Sequence, residues 1–296
     1  MTRHRPGRRA WAGLAVSALA WWTTPAQAQP STGCRDNPRA ARVLVGTGAV
    51  AANAALYVYF RNAWWSGEKA DHLFINWERG LSFRGQDKLG HFVGGYHLTR
   101  LGSDLLRAAC VGDARAVWWG AAYAAAFQLQ IELWDGRQKA YGFSPPDLIA
   151  NTAGAGFSVA QHYVPPLRHV KPTISYNPTA AYRTGQGALR PTVDYSGQTY
   201  WLSTDVDALL PERARGWWPD VVRVSVGHSI TDWVDPRTGV ELRARRKFVL
   251  SLDLDPEALP GSNRYWRVVK HQLSYYRFPA PALELTPSLR GIAWYR

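Results

Sequence analysis

The chain has 296 residues, 46% of them hydrophobic, and a formal net charge of +13. Its two cysteines, Cys34 and Cys110, exclude a disulfide scaffold and a thiolate zinc site, and leave room for one bridge in an oxidising compartment. No nucleic-acid motif accompanies the positive charge, so nucleic acid is not an expected partner.

Residues 1–28 are laid out as a secretory signal peptide. Arg3, Arg5, Arg8 and Arg9 form a basic start, Trp11 to Trp22 a short apolar stretch, and Ala26-Gln27-Ala28 a small-x-small cleavage signal. Arg8-Arg9 also allows a twin-arginine reading, which the flanking residues fit poorly. Cys34 follows Thr32-Gly33 outside the apolar stretch, which argues against a lipid-anchored cysteine. Removing the four signal arginines leaves a charge of +9. In an exported protein that charge favours anionic lipid or envelope glycan as partner.

The remaining chain changes character near Pro165-Pro166. Residues 35–165 are rich in Ala, Gly, Leu, Val and Trp and read as a helical domain. Residues 166–190 read as a connector, punctuated by Pro172, Pro178, Gly185 and Gly187, and 191–296 as a β-rich domain. The fold class expected is α+β: a helical bundle followed by a smaller β-rich unit. Helices are expected over Val43–Tyr59, Leu89–Cys110, Val117–Trp134 and Asp147–Tyr163, the last capped by Ser144 with prolines in its first turn. Gly90-x-x-x-Gly94 and Gly154-Ala155-Gly156 suit close helix approach. Their lengths reach the lower bound for crossing a bilayer, and Trp64-Trp65 and Trp118-Trp119 read as interfacial anchors in the turns, so membrane association is expected. Downstream, Gln198–Leu202, Val221–Val226 and Phe248–Leu254 read as strands, the last with Phe248, Leu250, Leu252 and Leu254 on one face. A short helix is expected near Thr204–Leu210, and another, capped by Ser262, around Trp266, Val269 and Leu273.

Ionisable residues inside apolar helices carry the functional signal, because an unpaired charge there costs several kcal/mol. Asp87 and His91 are four apart, Glu132 and Asp135 three apart, and Asp147 and Asn151 four apart, so three helices each present a polar pair on one side. Asp87, His91 and Glu132 are the candidate catalytic residues. Lys88, Asp135, Ser144, Asp147 and Asn151 are candidates for a binding or polar network. Asp87, His91, Glu132 and Asp135 are candidate ligands for a hard or borderline cation. Three uses fit the pattern: a metal or acid–base site, a polar ligand pocket, or a structural network in which Lys88 or His91 neutralises Glu132 and Asp135. No nucleophile elbow, zincin motif, phosphate loop or dinucleotide fingerprint is present.

In order along the chain, Asp87-Lys88-x-x-His91 with Gly94, Glu132-x-x-Asp135, and Gly142-x-Ser144-x-x-Asp147-x-x-x-Asn151-x-x-Gly154 resemble the YfiM-like family of predicted periplasmic lipoproteins, a domain of unknown function. They also resemble, more distantly, the VanZ-like helical membrane proteins. The resemblance covers about residues 40–165 and implies an envelope location and a VanZ-like helical architecture. The stretch Asp194 to Trp201 resembles the extension of longer members. The family lends no reaction. Two functions follow as expectations. The first is a non-enzymatic envelope component binding an amphiphile or glycan. The alternative is an envelope hydrolase with a buried Asp/His/Glu site.

Overall fold

The computed structural model describes residues 38–78, 82–183, 191–231 and 244–296. The residues read as a signal peptide, and Cys34, lie outside the described residues. The architecture is α+β: four long helices followed by a six-stranded antiparallel sheet, with three shorter helices among the strands.

Helix α1 (Pro38–Ala63) is apolar, and only Phe60 and Ala63 are buried. It is long and apolar enough to cross a membrane. Its C-terminal end docks through aromatic rings. Phe60 stacks on Trp64 at 4.6 Å between centroids, and Trp65 on Trp134 at 5.6 Å. Trp65 is therefore a core residue, not an interfacial anchor. Trp118 and Trp119 do not lie in a turn. They sit in the second turn of α3, exposed on its outer side.

Helices α2 (Gln86–Ala108), α3 (Asp113–Asp135) and α4 (Pro145–Tyr163) pack on one another over a core of small side chains, including Val117, Ala121, Ala155 and Val159. Glycine makes the approach close. A Cβ on Gly95 would lie 2.2 Å from the Asn151 carbonyl oxygen, and one on Gly154 would lie 1.9 Å from that of Phe92. Gly156, in contrast, faces open space. The backbone enters α2 through Phe83 and Arg84, both left-handed (φ 52° and 56°), then Gly85 at φ 86°. Ser144 caps α4, its Oγ accepting from Asp147 N at 3.3 Å, with Pro145-Pro146 in the first turn.

The sheet is a meander in chain order: β1 (Val170–Tyr176), β2 (Gln198–Thr204), β3 (Val222–Ile230), β4 (Arg246–Leu254), β5 (Ala280–Glu284) and β6 (Arg290–Tyr295). One-turn helices α5 (Ala180–Arg183) and α6 (Val206–Leu209) flank β2, and α7 (Arg264–Leu273) precedes β5. The segment read as a connector thus contributes β1. A proline is tolerated there because Pro172 is on the edge strand of the sheet. Asn263, not Ser262, caps α7, accepting from Tyr265 N at 2.8 Å.

The sheet curls. Tyr276, just after α7, bridges to Ile174 on the free edge of β1. Inward side chains of β2 and β6 meet: Thr199 Oγ1 and Tyr295 Oη are 3.2 Å apart, and the Trp201 and Tyr295 rings are perpendicular at 5.4 Å. The inside of the curl is strongly polar. Arg277 lies over Trp201 at 4.3 Å, Ser225 donates to Asp253 at 2.8 Å, and Arg223 bonds Ser203, Asp255 and the His169 carbonyl. Helix α2 packs on the outer side of β1–β3, where Gln86 donates to the Gln198 carbonyl at 2.9 Å. The helical half and the sheet therefore meet along α2, and the functional residues lie at the start of that helix.

Candidate functional site

Helix periodicity, the glycine contacts and the Ser144 cap bring the first turns of α2 and α4 and the last turns of α3 to one place. There Asp87, His91, Glu132, Asp147 and Asn151 converge. His91 Nδ1 lies 3.0 Å from Asn151 Oδ1, which also accepts from Gln128 Nε2 at 2.6 Å. An amide oxygen only accepts, so Nδ1 carries the proton and donates. The opposite nitrogen, Nε2, faces two carboxylates, at 3.5 Å from Asp147 Oδ1 and 3.7 Å from Asp87 Oδ1. Glu132 Oε1 lies 3.9 Å from Nδ1, and its other oxygen accepts from Ser144 N at 3.3 Å.

Lys88 lies among the carboxylates. Its ammonium donates to Glu78 at 2.5 Å, to Asp87 at 2.9 Å, and to Asp147. Of the two cations that the structural-network reading offered to Glu132 and Asp135, Lys88 reaches neither, whereas His91 lies 3.9 Å from Glu132. Asp135 is held differently: its Oδ1 accepts from the buried Trp65 indole at 2.5 Å. Tyr195, from the segment before β2, donates to Asp87 Oδ1 at 2.7 Å and is stacked on Phe83 at 4.6 Å.

Sequence reasoning missed Glu78, Gln128, Tyr195 and Trp65. Gln128 carries a signal: it lies four residues before Glu132, on the same face of α3. Tyr195 belongs to the stretch that resembles the family extension, but no spacing rule ties it to Asp87, 108 residues earlier.

The electrostatics are those of a centre short of positive charge. Five carboxylates, on Glu78, Asp87, Glu132, Asp135 and Asp147, surround Lys88 and His91. Burial pushes the Glu132 carboxyl up to about 8 and that of Asp135 to about 6. Burial, with repulsion from Asp87, also raises Asp147. For Asp87 the burial penalty is outweighed by His91, Lys88 and the Tyr195 hydroxyl, and its carboxyl is held below the usual range. Burial opposes the charge on His91 and Lys88, but the surrounding carboxylates win and raise both. Among the buried atoms, Glu132 Oε1, Gln128 Oε1 and Asn151 Nδ2 have no hydrogen-bond partner.

The centre opens on a cavity of about 350 Å³. Trp64, Phe83, Tyr141 and Tyr195 give it aromatic walls, and Asp87, His91, Asp135 and Asp147 reach it as polar groups. One ligand atom from each of Asp87, His91 and Asp147 lies within 4.8 Å of the others, a spacing that suits a cation. Glu132 and Asp135, expected among the ligands, are not in this set: Glu132 faces the Nδ1 side of His91, and Asp135 is tied to Trp65.

Residues 77–162, which hold every one of these helix-borne groups, match the family model described as predicted periplasmic lipoprotein (DUF2279). Over this stretch the chain is similar to that family, and the match supports an exported, envelope-associated protein. No curated protein matches the chain, and no solved structure does. Cys110 is disulfide-bonded.

Proposed function

We propose that the chain is an envelope hydrolase in which Asp87 Oδ1, His91 Nε2 and Asp147 Oδ1 hold one divalent cation at the floor of the aromatic-walled cavity. A single observation supports this reading most: the orientation of His91. Asn151 and Gln128 fix the Nδ1 proton and leave Nε2 as the nitrogen that faces two carboxylates. A metal-ligating histidine is held in this way, its second nitrogen donating to an outer partner that sets ring and tautomer. A divalent ion also offsets the excess of carboxylates over cations. When bound, such an ion lowers the pKa of a coordinated water towards neutrality and so supplies a nucleophile where the chain has no obvious one.

The other residues have supporting roles in this reading. Tyr195 orients Asp87. Lys88 balances the outer oxygen of Asp87, shares Asp147 Oδ1 with the cation site and anchors Glu78. Asp135 lines the same cavity with its carboxyl near 6, so it is placed to exchange a proton with a bound substrate. The aromatic walls suit a sugar face or the body of an amphiphile.

One observation favours a second, non-catalytic reading, in which the cavity only holds an amphiphile or glycan: Lys88 already bridges Glu78, Asp87 and Asp147. Elemental analysis after chelator-free purification, with an esterase, phosphatase and glycosidase panel, separates the two. Stoichiometric metal with activity lost in His91→Ala supports the hydrolase. A metal-free, inert protein whose melting rises with lipid or glycan fragments supports the binding pocket.

A further inference from the structure

Around a small inward cluster of Trp201, Val249 and Tyr295, the sheet places much of its polarity inside and its leucines outside. In an antiparallel sheet of a water-soluble domain, apolar side chains face the core and polar ones face solvent. Here the inward rows carry Arg223, Ser225, Ser251 and Asp253, all buried and hydrogen-bonded to one another or to nearby backbone. The outward rows are apolar. Leu202, Val226, Leu250 and Leu283 sit opposite one another across four strands and are 48%, 54%, 41% and 38% exposed. Leu252 and Leu254 continue the surface along β4.

We propose that the part of this outward face of β2–β5 that α2 leaves uncovered lies against the hydrocarbon of a lipid bilayer. Three further features favour lipid over a protein partner. First, the alternation of apolar-out and polar-in along β3 and β4 is that of a strand with one face turned to lipid. Second, the end of the face where Val222 pairs with Leu254 has an aromatic and basic rim. Trp217, 79% exposed, precedes β3 there, and α7 packs on the turn after β4 with Tyr265, Arg264 and Arg267 outward. Indole and phenol rings settle at the headgroup level, and guanidinium groups meet anionic headgroups. Third, α1 is a 26-residue apolar helix with little of its surface covered by protein. This placement is independent of how the cavity is used.

The test is a fluorescent label at a single added cysteine on the full chain in phosphatidylethanolamine/phosphatidylglycerol vesicles. Labelling without reductant leaves the Cys110 disulfide intact. Leu250→Cys reports the face, Val226→Cys reports the same row should the first variant fail to fold, and Glu212→Cys reports an exposed position outside it. Lipid contact gives blue-shifted emission at 250 or 226, quenched several-fold more by nitroxide on the acyl chain than by aqueous iodide, with the order reversed at 212. Iodide quenching at 250 and 226 equal to that at 212 overturns the proposal. So does a label shielded from both quenchers in a particle of twice the expected mass, which would mean that a second copy covers the face.

Discussion

His91 and Asn151 are joined by a 3.0 Å hydrogen bond that determines which nitrogen of the imidazole faces the carboxylates of Asp87 and Asp147. Asn151 touches neither carboxylate in the proposed ligand set, yet it sets the tautomer of the ring. Asn151→Leu is therefore expected to weaken divalent-cation binding by about 10–100-fold, the usual effect of losing an outer partner. Cation titration followed by calorimetry checks this, and circular dichroism confirms that the helices persist.

The crossing of α2 and α4 is the device that places Asn151 beside His91. Gly154→Ala puts a methyl group 1.9 Å from the Phe92 carbonyl, and backbone cannot yield as a side chain tip can. The expected cost is about 1–3 kcal/mol or more, with cation affinity falling as the helices part. Gly156→Ala, two residues on and facing open space, is expected to stabilise α4 by about 0.5–1 kcal/mol. Thermal melts of the two variants should move in opposite directions.

Glu132 is buried and its carboxyl is pushed up to about 8 from an ordinary 4.5. A raised carboxyl pKa means that the stability associated with it is fully present below 4.5 and is lost as pH rises through 8. Glu132→Gln keeps the shape and removes the ionisation. Near pH 4 it should melt close to wild type, and as pH rises from 4.5 to 9 it should come to exceed wild type by at least about 2 kcal/mol. Urea unfolding at the two pH values measures the difference.

A second charged cluster ties α7 to α2 and behaves differently with pH. His271 Nε2 lies 2.9 Å from Asp104 Oδ2, its Nδ1 contacts Glu257, and Lys171 reaches Glu257 at 3.0 Å. Hydrogen bonds to Asp104 and Glu257 raise His271 to about 9, so its contribution is complete below 6.5 and fades as pH climbs through 9. For Glu257, burial is outweighed by His271 and Lys171, which lower it to about 2, so its contribution is complete above 4.5 and fades on acidification. The docking of α7 should be firmest between about pH 4.5 and 6.5. His271→Gln should remove the alkaline limb, ~1–2 kcal/mol given the partial exposure of the pair. Hydrogen exchange in α7 as a function of pH reads it directly.

The helices and the site were legible to different depths. Apolar runs located α2, α3 and α4 within a few residues, and Ser144-Pro145-Pro146 marked the start of α4, because capping and period are local properties. Spacing along helices put Asp87 with His91 and Asp147 with Asn151. It could not supply Glu78 or Tyr195, whose places depend on how irregular chain folds back over α2. Strand β1 escaped because Pro172 sits within it and its partner strand begins only at Gln198. The alternation over Phe248–Leu254 located β4, but alternation has no sign: it says that two faces differ, not which one is inward. Only the buried Arg223 and Asp253 reveal that the leucines face out.

Zinc or manganese titration of the purified full chain, by calorimetry and beside Asp147→Asn and His91→Ala, addresses the central claim most directly. The wild-type chain should bind one cation and both variants should bind at least about 100-fold more weakly, while their melting without metal shows them folded. A wild-type chain that takes up no divalent cation, or variants that bind as tightly as wild type, would contradict it.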